Sequence, residues 1–236
     1  MEDRYRVPLH IRLNRRFMRM LFRGFFRLLG KVELYGMEKI PKHNKYVIAF
    51  NHVSLVEVPF IGAFWPTIVE IIGAAVVWER PGHAIVARMW SGIQVNRTQF
   101  DREVFNNVKM VIDAGFPLMI SPEGTRSHTP GLARGKPGIA YIIDKTRLPV
   151  IPVGVVGNTL DFLHQGIRGK RPTIQMFVGD PIHLPALTGR GEDRRNMRQH
   201  NTDIVMARLA ELLPESYQGV YSNYEKILAG EPLVTD

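Results

Sequence analysis

Residues 45–57 read Lys45-Tyr46-Val47-Ile48-Ala49-Phe50-Asn51-His52-Val53-Ser54-Leu55-Val56-Glu57, and this stretch decides the fold. Lys45 to Phe50 reads as a strand whose apolar run is not interrupted by alternating polar residues, and a helix is predicted from about Ser54. A strand that is apolar on both faces must be covered on both, as in a parallel sheet between helix layers. The pattern recurs along the chain. Val69 to Val77, Ile93 to Asn96, Pro117 to Ile120, Val150 to Val156 and Ile174 to Val178 read as strands. Pro81 to Trp90, Asp101 to Ala114, Pro137 to Lys145 and Asp193 to Leu213 read as helices. This alternation predicts an α/β fold: a single domain over residues 31–236 with a mostly parallel, mixed sheet flanked by helices.

The chain has 236 residues, 45% hydrophobic, and no cysteine. It therefore carries no disulfide scaffold, no Cys-ligated metal site and no cysteine nucleophile. Its net charge is +9, unevenly spread. Residues 1–30 hold eight arginines against Glu2 and Asp3, a local +6, which leaves only +3 on the remaining 206 residues. The protein is a near-neutral body with a basic N-terminal segment, whose partner should be anionic.

That segment is patterned. Arg12, Arg16, Arg19, Arg23 and Arg27 form one helical stripe, with Leu13, Phe17, Met20, Leu21, Phe22, Phe25, Phe26, Leu28 and Leu29 between them. Arginine on one side and large apolar residues on the other suit a helix lying in the headgroup region of an anionic bilayer. Residues 1–30 are thus expected to form an amphipathic membrane-associating helix, with Arg16, Arg19, Phe22, Arg23, Phe25 and Phe26 at the lipid. Six arginines between Arg12 and Leu29 prevent it from spanning. A helix packed on the domain with its arginines in water is the commoner fate of such a pattern; the wide arc rich in Phe and Met favours the bilayer. An RNA-binding arm would interleave polar donors other than arginine, so no nucleic-acid partner is expected. Val58 to Trp78 is the only transmembrane candidate. Pro59, Pro66 and Glu70 divide it into helix, turn and strand, so it reads as buried core, with the Phe64-Trp65-Pro66 corner expected near lipid.

Four segments lie at or just after predicted strands: residues 51–57, Gly92 to Arg97, Ser121 to Ser127, and Val150 to Gly154. In open α/β sheets ligands sit beyond the carboxyl ends of the strands, so these clusters should converge on one crevice. His52, between strand and helix, is placed as a general base. Glu57 has two readings. It can reach back to the imidazole and fix its tautomer, as the third member of a triad does. It can instead be the N3 residue of a Ser54-x-x-Glu57 capping box. One carboxylate does not easily do both, and spacing alone favours the cap. Arg97 and Arg126, at neighbouring strand ends, could grip a phosphate bidentately. For Glu123 a loop-bracing Glu–Arg pair is a strong alternative. Gly131 to Lys136 has the wrong spacing for a Walker A loop, and the chain has neither G-x-S-x-G nor H-E-x-x-H.

Taken together, these segments resemble the glycerolipid (1-acyl-sn-glycerol-3-phosphate) acyltransferase family, of the PlsC-like kind. Its N-H-x4-D, G-x-x-x-(D/N)-R, (F/S)-P-E-G-T-R-S and V-P-V motifs are matched in order between Asn51 and Gly154, with Glu57 standing where the family usually has Asp. The resemblance implies transfer of a fatty acyl group from acyl-CoA or acyl-acyl-carrier protein to the hydroxyl of lysophosphatidic acid, giving phosphatidic acid. It implies His52 as general base oriented by Glu57, and Arg97, Glu123, Gly124, Thr125, Arg126 and Lys136 around the acceptor phosphate. It implies no cofactor beyond the acyl thioester co-substrate and no metal. It also implies an anionic membrane surface as partner, and a peripheral or monotopic position on the cytoplasmic face of the cell membrane. The same chemistry on glycerol 3-phosphate or another lysolipid is an alternative; so is a non-catalytic membrane-binding homologue, against which His52, Arg97 and Arg126 together argue.

Overall fold

The architecture comes from a computed structural model, which describes residues 5–43, 45–79, 83–95, 102–127 and 129–233. Helix α1 (Leu9–Leu29) leads into β1 (Lys31–Tyr35), β2 (Val47–Phe50), α2 (Glu57–Phe64), β3 (Glu70–Ala74), α3 (His83–Trp90) and β4 (Ile93–Val95). Then come α4 (Arg102–Asp113), β5 (Leu118–Ile120), α5 (Gly138–Thr146), β6 (Val150–Val156), α6 (Leu160–Ile167) and β7 (Thr173–Val178). The chain closes with α7 (Gly191–Glu211), α8 (Glu215–Gln218) and α9 (Tyr224–Leu228).

The strands form one sheet in the order β1-β7-β6-β2-β5-β3-β4. From β6 to β4 every pair is parallel, with Val47 opposite both Val150 and Leu118. β7 runs antiparallel to β6, and β1 runs parallel to β7, so the sheet is mixed at one edge. All four residues of β2 are buried, as its unbroken apolar run requires. Pro152 sits inside β6 where a ladder N–H would normally be needed. β7 ends opposite Val153; beyond it the Gly179 amide donates to the Pro152 carbonyl, and the chain pairs again at the Val150–Ile182 bridge, so the ladder residues of β7 ask for no N–H at Pro152.

Each face of the sheet has its own core. Val108, Val111, Ile139, Ile142, Val205, Leu209 and Tyr221 fill one, beneath α4, α5 and α7. Met18, Phe26, Phe60, Ile61, Trp65, Trp90 and Phe162 fill the other, beneath α1, α2, α3 and α6. β1 and α6 carry no pattern that announces them: β1 holds Lys31 and Glu33 at a sheet edge, and α6 is only eight residues long. The expected strand Val69 to Val77 stops at Ala74, and residues 75–78 wind into a short 3₁₀ turn.

α1 packs on the body through a mixed face: Met18 and Phe26 are buried together with Arg15, while Arg12, Arg16 and Arg27 stay exposed. Arg15, Arg19 and Arg23 point inward. Arg15 bonds Glu70 through both oxygens and the Trp90 carbonyl, Arg19 bonds the Trp65 carbonyl, and Arg23 bonds the Ala63 carbonyl at 2.6 Å. Those last two carbonyls close α2, where unpaired C=O groups and the negative dipole end attract cations. Burial and the neighbouring Arg23 lower the proton affinity of Arg19. Leu9, Leu13, Phe17, Met20, Leu21 and Leu28 are left exposed, Leu28 by 77%.

The expected lipid-facing set is corrected accordingly. Phe26 is 1% exposed and Phe22 packs against the same core, so neither presents an open face. Arg19 and Arg23 cap α2 rather than facing headgroups, while Arg16 and Phe25 do face outward. Of the Phe64-Trp65-Pro66 corner, Pro66 alone is exposed. Phe64 and Trp65 are buried, and Trp65 Nε1 donates to the Tyr46 hydroxyl. Among the described residues no helix is long and apolar enough to cross a membrane.

Candidate active site

β2, β5 and β6 are neighbours in the sheet, so the segments that follow them meet at their carboxyl ends. Asn51 continues the ladder past β2 with its side chain. Its Nδ2 donates to the Val155 carbonyl, and the Val155 amide donates to Oδ1 at 2.7 Å. His52 follows directly. Its amide donates to Glu123 Oε1 at 2.8 Å, and its carbonyl accepts the Ser127 amide at 2.9 Å. The backbone of His52 is thus clamped by the segment after β5. Phe50 meets the imidazole edge to face, with ring centres 5.8 Å apart.

His52 Nδ1 lies 2.5 Å from Glu57 Oε1. The carboxylate is fully buried, whereas the imidazole is 18% exposed. Glu57 also caps the turn, accepting the Ser54 amide at 3.0 Å and the Ser54 hydroxyl at 3.1 Å. The two readings of Glu57 are therefore not exclusive. Helix α2 begins at Glu57 itself rather than near Ser54, so the carboxylate folds back over its own turn and still meets the ring. The Ser54 hydroxyl in turn accepts the Val56 amide. An ionised carboxylate is an acceptor only, so against an ionised Glu57 the imidazole would donate from Nδ1, and a neutral ring would then leave Nε2 unprotonated.

Glu123 does not face a pocket. It is 1% exposed, and its oxygens take the backbone amides of His52 and Ala133, not the Arg126 guanidinium. It acts on the site through the placement of His52, and neither a phosphate contact nor a Glu–Arg brace describes it. Burial pushes its carboxyl above the usual range, although both amides and the His52 charge oppose this.

Gly124 turns the chain at φ +66°, and a Cβ there would stand 3.0 Å from Lys136 Cδ and 3.5 Å from its Nζ. The Lys136 amide donates to the Pro122 carbonyl, which ties this lysine to the loop. Thr125 is exposed, and Arg126 is half-buried with no ion pair among the described residues. The loop thus brings Gly124, Thr125, Arg126 and Lys136 together beside His52. Arg97 lies outside the described residues.

Two participants carried no sequence signal. Ala133 supplies an amide to Glu123, and the stretch around it is held by Tyr221, whose hydroxyl accepts the Gly135 amide and donates to Asp203. Asn158, just past β6, donates from Nδ2 to Glu57 Oε2 at 3.2 Å. Its position after an apolar strand run was the only available pointer.

The Acyltransferase family model matches residues 31–156, a little over half of the chain. A 1-acyl-sn-glycerol-3-phosphate acyltransferase of Cocos nucifera is 26% identical over 181 residues, covering 73% of this chain and 55% of that protein. A putative 1-acyl-sn-glycerol-3-phosphate acyltransferase of Caenorhabditis elegans is 23% identical over 125 residues, 52% of this chain and 48% of that one. The chain spans about half the length of each of these relatives. Among solved structures, PlsC, the 1-acyl-sn-glycerophosphate (LPA) acyltransferase of Thermotoga maritima, superposes with TM-score 0.57 at 24% identity. That match covers 81% of this chain and 78% of the other, and at this identity it speaks for the fold.

Proposed function

This chain belongs to the Acyltransferase family, and on that premise we propose that it transfers a fatty acyl group from a thioester donor to the free hydroxyl of lysophosphatidic acid. The observation that carries the reading is the contact between His52 Nδ1 and the buried Glu57, beside a loop bearing Arg126 and Lys136, neither of which has an ion pair among the described residues. The relatives named for this same reaction support the acceptor.

In the proposed mechanism Glu57 holds Nδ1–H and leaves Nε2 free as base. The acceptor hydroxyl gives its proton to Nε2 as its oxygen attacks the thioester carbonyl. The tetrahedral intermediate collapses, the C–S bond breaks, and the thiolate of CoA or acyl-carrier protein takes the proton from the imidazolium. Glu57 stabilises that transient cation. Arg126 and Lys136 hold the acceptor phosphate, and the proposal gives Arg97 the same task.

The substrates and product are lipids, so the enzyme works at a membrane, peripherally or monotopically on the cytoplasmic face. The exposed row Leu9, Leu13, Phe17, Met20, Leu21 and Leu28 is the docking face, with exposed Arg12, Arg16 and Arg27 along its rim.

The test offers purified protein, on anionic vesicles, lysophosphatidic acid, glycerol 3-phosphate and other lysophospholipids with acyl-CoA and acyl-carrier-protein donors. Phosphatidic acid formed fastest from lysophosphatidic acid is the expected result, with Arg126→Ala raising the acceptor KM and leaving the donor KM unchanged. A clear preference for another acceptor, or no transfer to any of them, overturns the assignment.

A further inference from the structure

Glu57 has more donors than a two-membered pair requires. Oε1 takes His52 Nδ1 and the Ser54 amide, while Oε2 takes the Ser54 hydroxyl and Asn158 Nδ2. The donors from residues 52–54 belong to the same turn as Glu57. Asn158 comes from 101 residues away, at the end of β6.

Asn158 is fully buried, and its Oδ1 has no hydrogen-bond partner among the described residues. A buried carbonyl left unpaired destabilises a fold, and an apolar side chain of similar size would avoid that. What the amide brings is a donor aimed at Glu57; with the amide turned the other way, two acceptors would face each other. The approach is built into the backbone. Gly157 turns at φ +79°, and a Cβ there would come 2.3 Å from the Thr173 carbonyl oxygen. Only glycine fits that turn, and the next side chain is delivered beneath the His52 loop.

We propose that Asn158 is a positioning residue for the catalytic pair, holding Oε2 so that Oε1 is presented to His52. The inference rests on the acyltransferase reading with His52 and Glu57 as its dyad. A glutamate has one more rotatable bond than the aspartate usual at this place in the family, so its carboxylate needs a second anchor to stay on the ring. Ser54 and Asn158 supply that anchor from two different strand ends. Displacing the carboxylate slows the proton transfer and leaves substrate binding alone, because Asn158 touches Glu57 and not the phosphate loop.

The experiment compares Asn158→Leu and Asn158→Asp in the full chain, alone and combined with Glu57→Gln, by kcat, both KM values and melting temperature. In the wild-type background kcat should fall about 10–100-fold, the size usual when an outer hydrogen-bond partner is removed, with both KM values unchanged. In the Glu57→Gln background the same substitutions should cost less than about twofold, because the carboxylate they act through is gone. An unchanged kcat, a loss that appears in KM, or an equal loss in both backgrounds overturns the proposal. Should Asn158→Leu fail to fold, Asn158→Asp, of the same shape, decides alone. If Glu57→Gln by itself matches wild type, the dyad reading fails instead; if Glu57→Gln is inactive while the Asn158 variants keep the wild-type kcat, only the positioning role fails.

Discussion

Two fully buried glutamates of this chain each face a nitrogenous partner, at opposite ends of the parallel strands. Glu70 opens β3, where Arg15 of α1 grips it through two bonds of 2.5 and 2.8 Å. Glu57 lies just past the carboxyl end of β2, 2.5 Å from His52. Burial and distance are nearly the same for both. The partners differ. Arg15 is 1% exposed, permanently charged, and its Nε is committed to the Trp90 carbonyl. Burial pushes the Glu70 carboxyl up even against that guanidinium, and burial with the Glu70 charge pushes the nearby Tyr5 phenol to about 12. Nothing there exchanges a proton with a substrate: the pair is a clasp holding α1 to the body. The His52 side chain is 18% exposed, where that of Arg15 is 1% exposed, and in the proposed mechanism its Nε2 is the base. A buried acid with a close partner therefore does not by itself mark an active site; the proposal made for Glu57 rests on a partner that is accessible.

The sharpest break of the comparison is His52→Ala against Arg15→Ala. The first should lower kcat about 10²–10⁴-fold with little change in melting. The second should leave kcat per folded molecule nearly intact and lower the melting temperature. If both variants lose activity in proportion to stability, the distinction between clasp and dyad collapses.

The clasp can then be dissected by itself. Arg15→Met leaves Glu70 buried without its partner and should cost about 3–5 kcal/mol in urea unfolding. Adding Glu70→Leu should recover most of that loss, because an apolar pair of similar volume replaces a buried ion pair at little cost. No apolar pair can replace His52 and Glu57 in the activity assay.

Glu123 lies between the two cases, a buried acid with backbone amides for partners. Its replacement by Gln turns an amino group toward the amide of His52 or Ala133 and should cost about 1–3 kcal/mol. The sign of its pH dependence follows from its raised carboxyl. Between the ordinary carboxylate range and that raised value the folded protein holds more protons than the unfolded chain, so stability falls as pH rises through this window. Glu123→Gln should flatten that part of the stability–pH curve, which denaturant titrations at several pH values would show; an unaltered slope would remove Glu123 from the cause.

The smallest effect concerns the arginines that the body does not use. Arg12→Gln and Arg16→Gln should each weaken binding to anionic vesicles by only about 1 kcal/mol. Phe17→Asp with Leu21→Asp should do more, since the apolar row carries the docking. Vesicle binding that vanishes in moderate salt would reverse that order and put the charge first.

The sequence by itself determined the order of strands and helices around the site, because an unbroken apolar run or a helical period is a local property that any fold must honour. Residues 47–50 and 150–156 could only be inner strands, and the polar segments after β2 and β5 had to fall at strand ends. It also placed His52 and the 123–126 loop together, since neighbouring parallel strands finish on the same side. Tertiary structure alone decided what each polar group faces. α1 has arginine and apolar arcs, and either could turn inward. The free carbonyls at the end of α2 and the buried Glu70 drew Arg15, Arg19 and Arg23 in, and those acceptors exist only once the body has folded. Likewise the amides that occupy Glu123, and the Asn158 donor on Glu57, join residues 71 and 101 positions or more apart, or, for Ala133, come from a loop with no regular period. Such contacts are fixed by where strands end in space, and no local pattern encodes them.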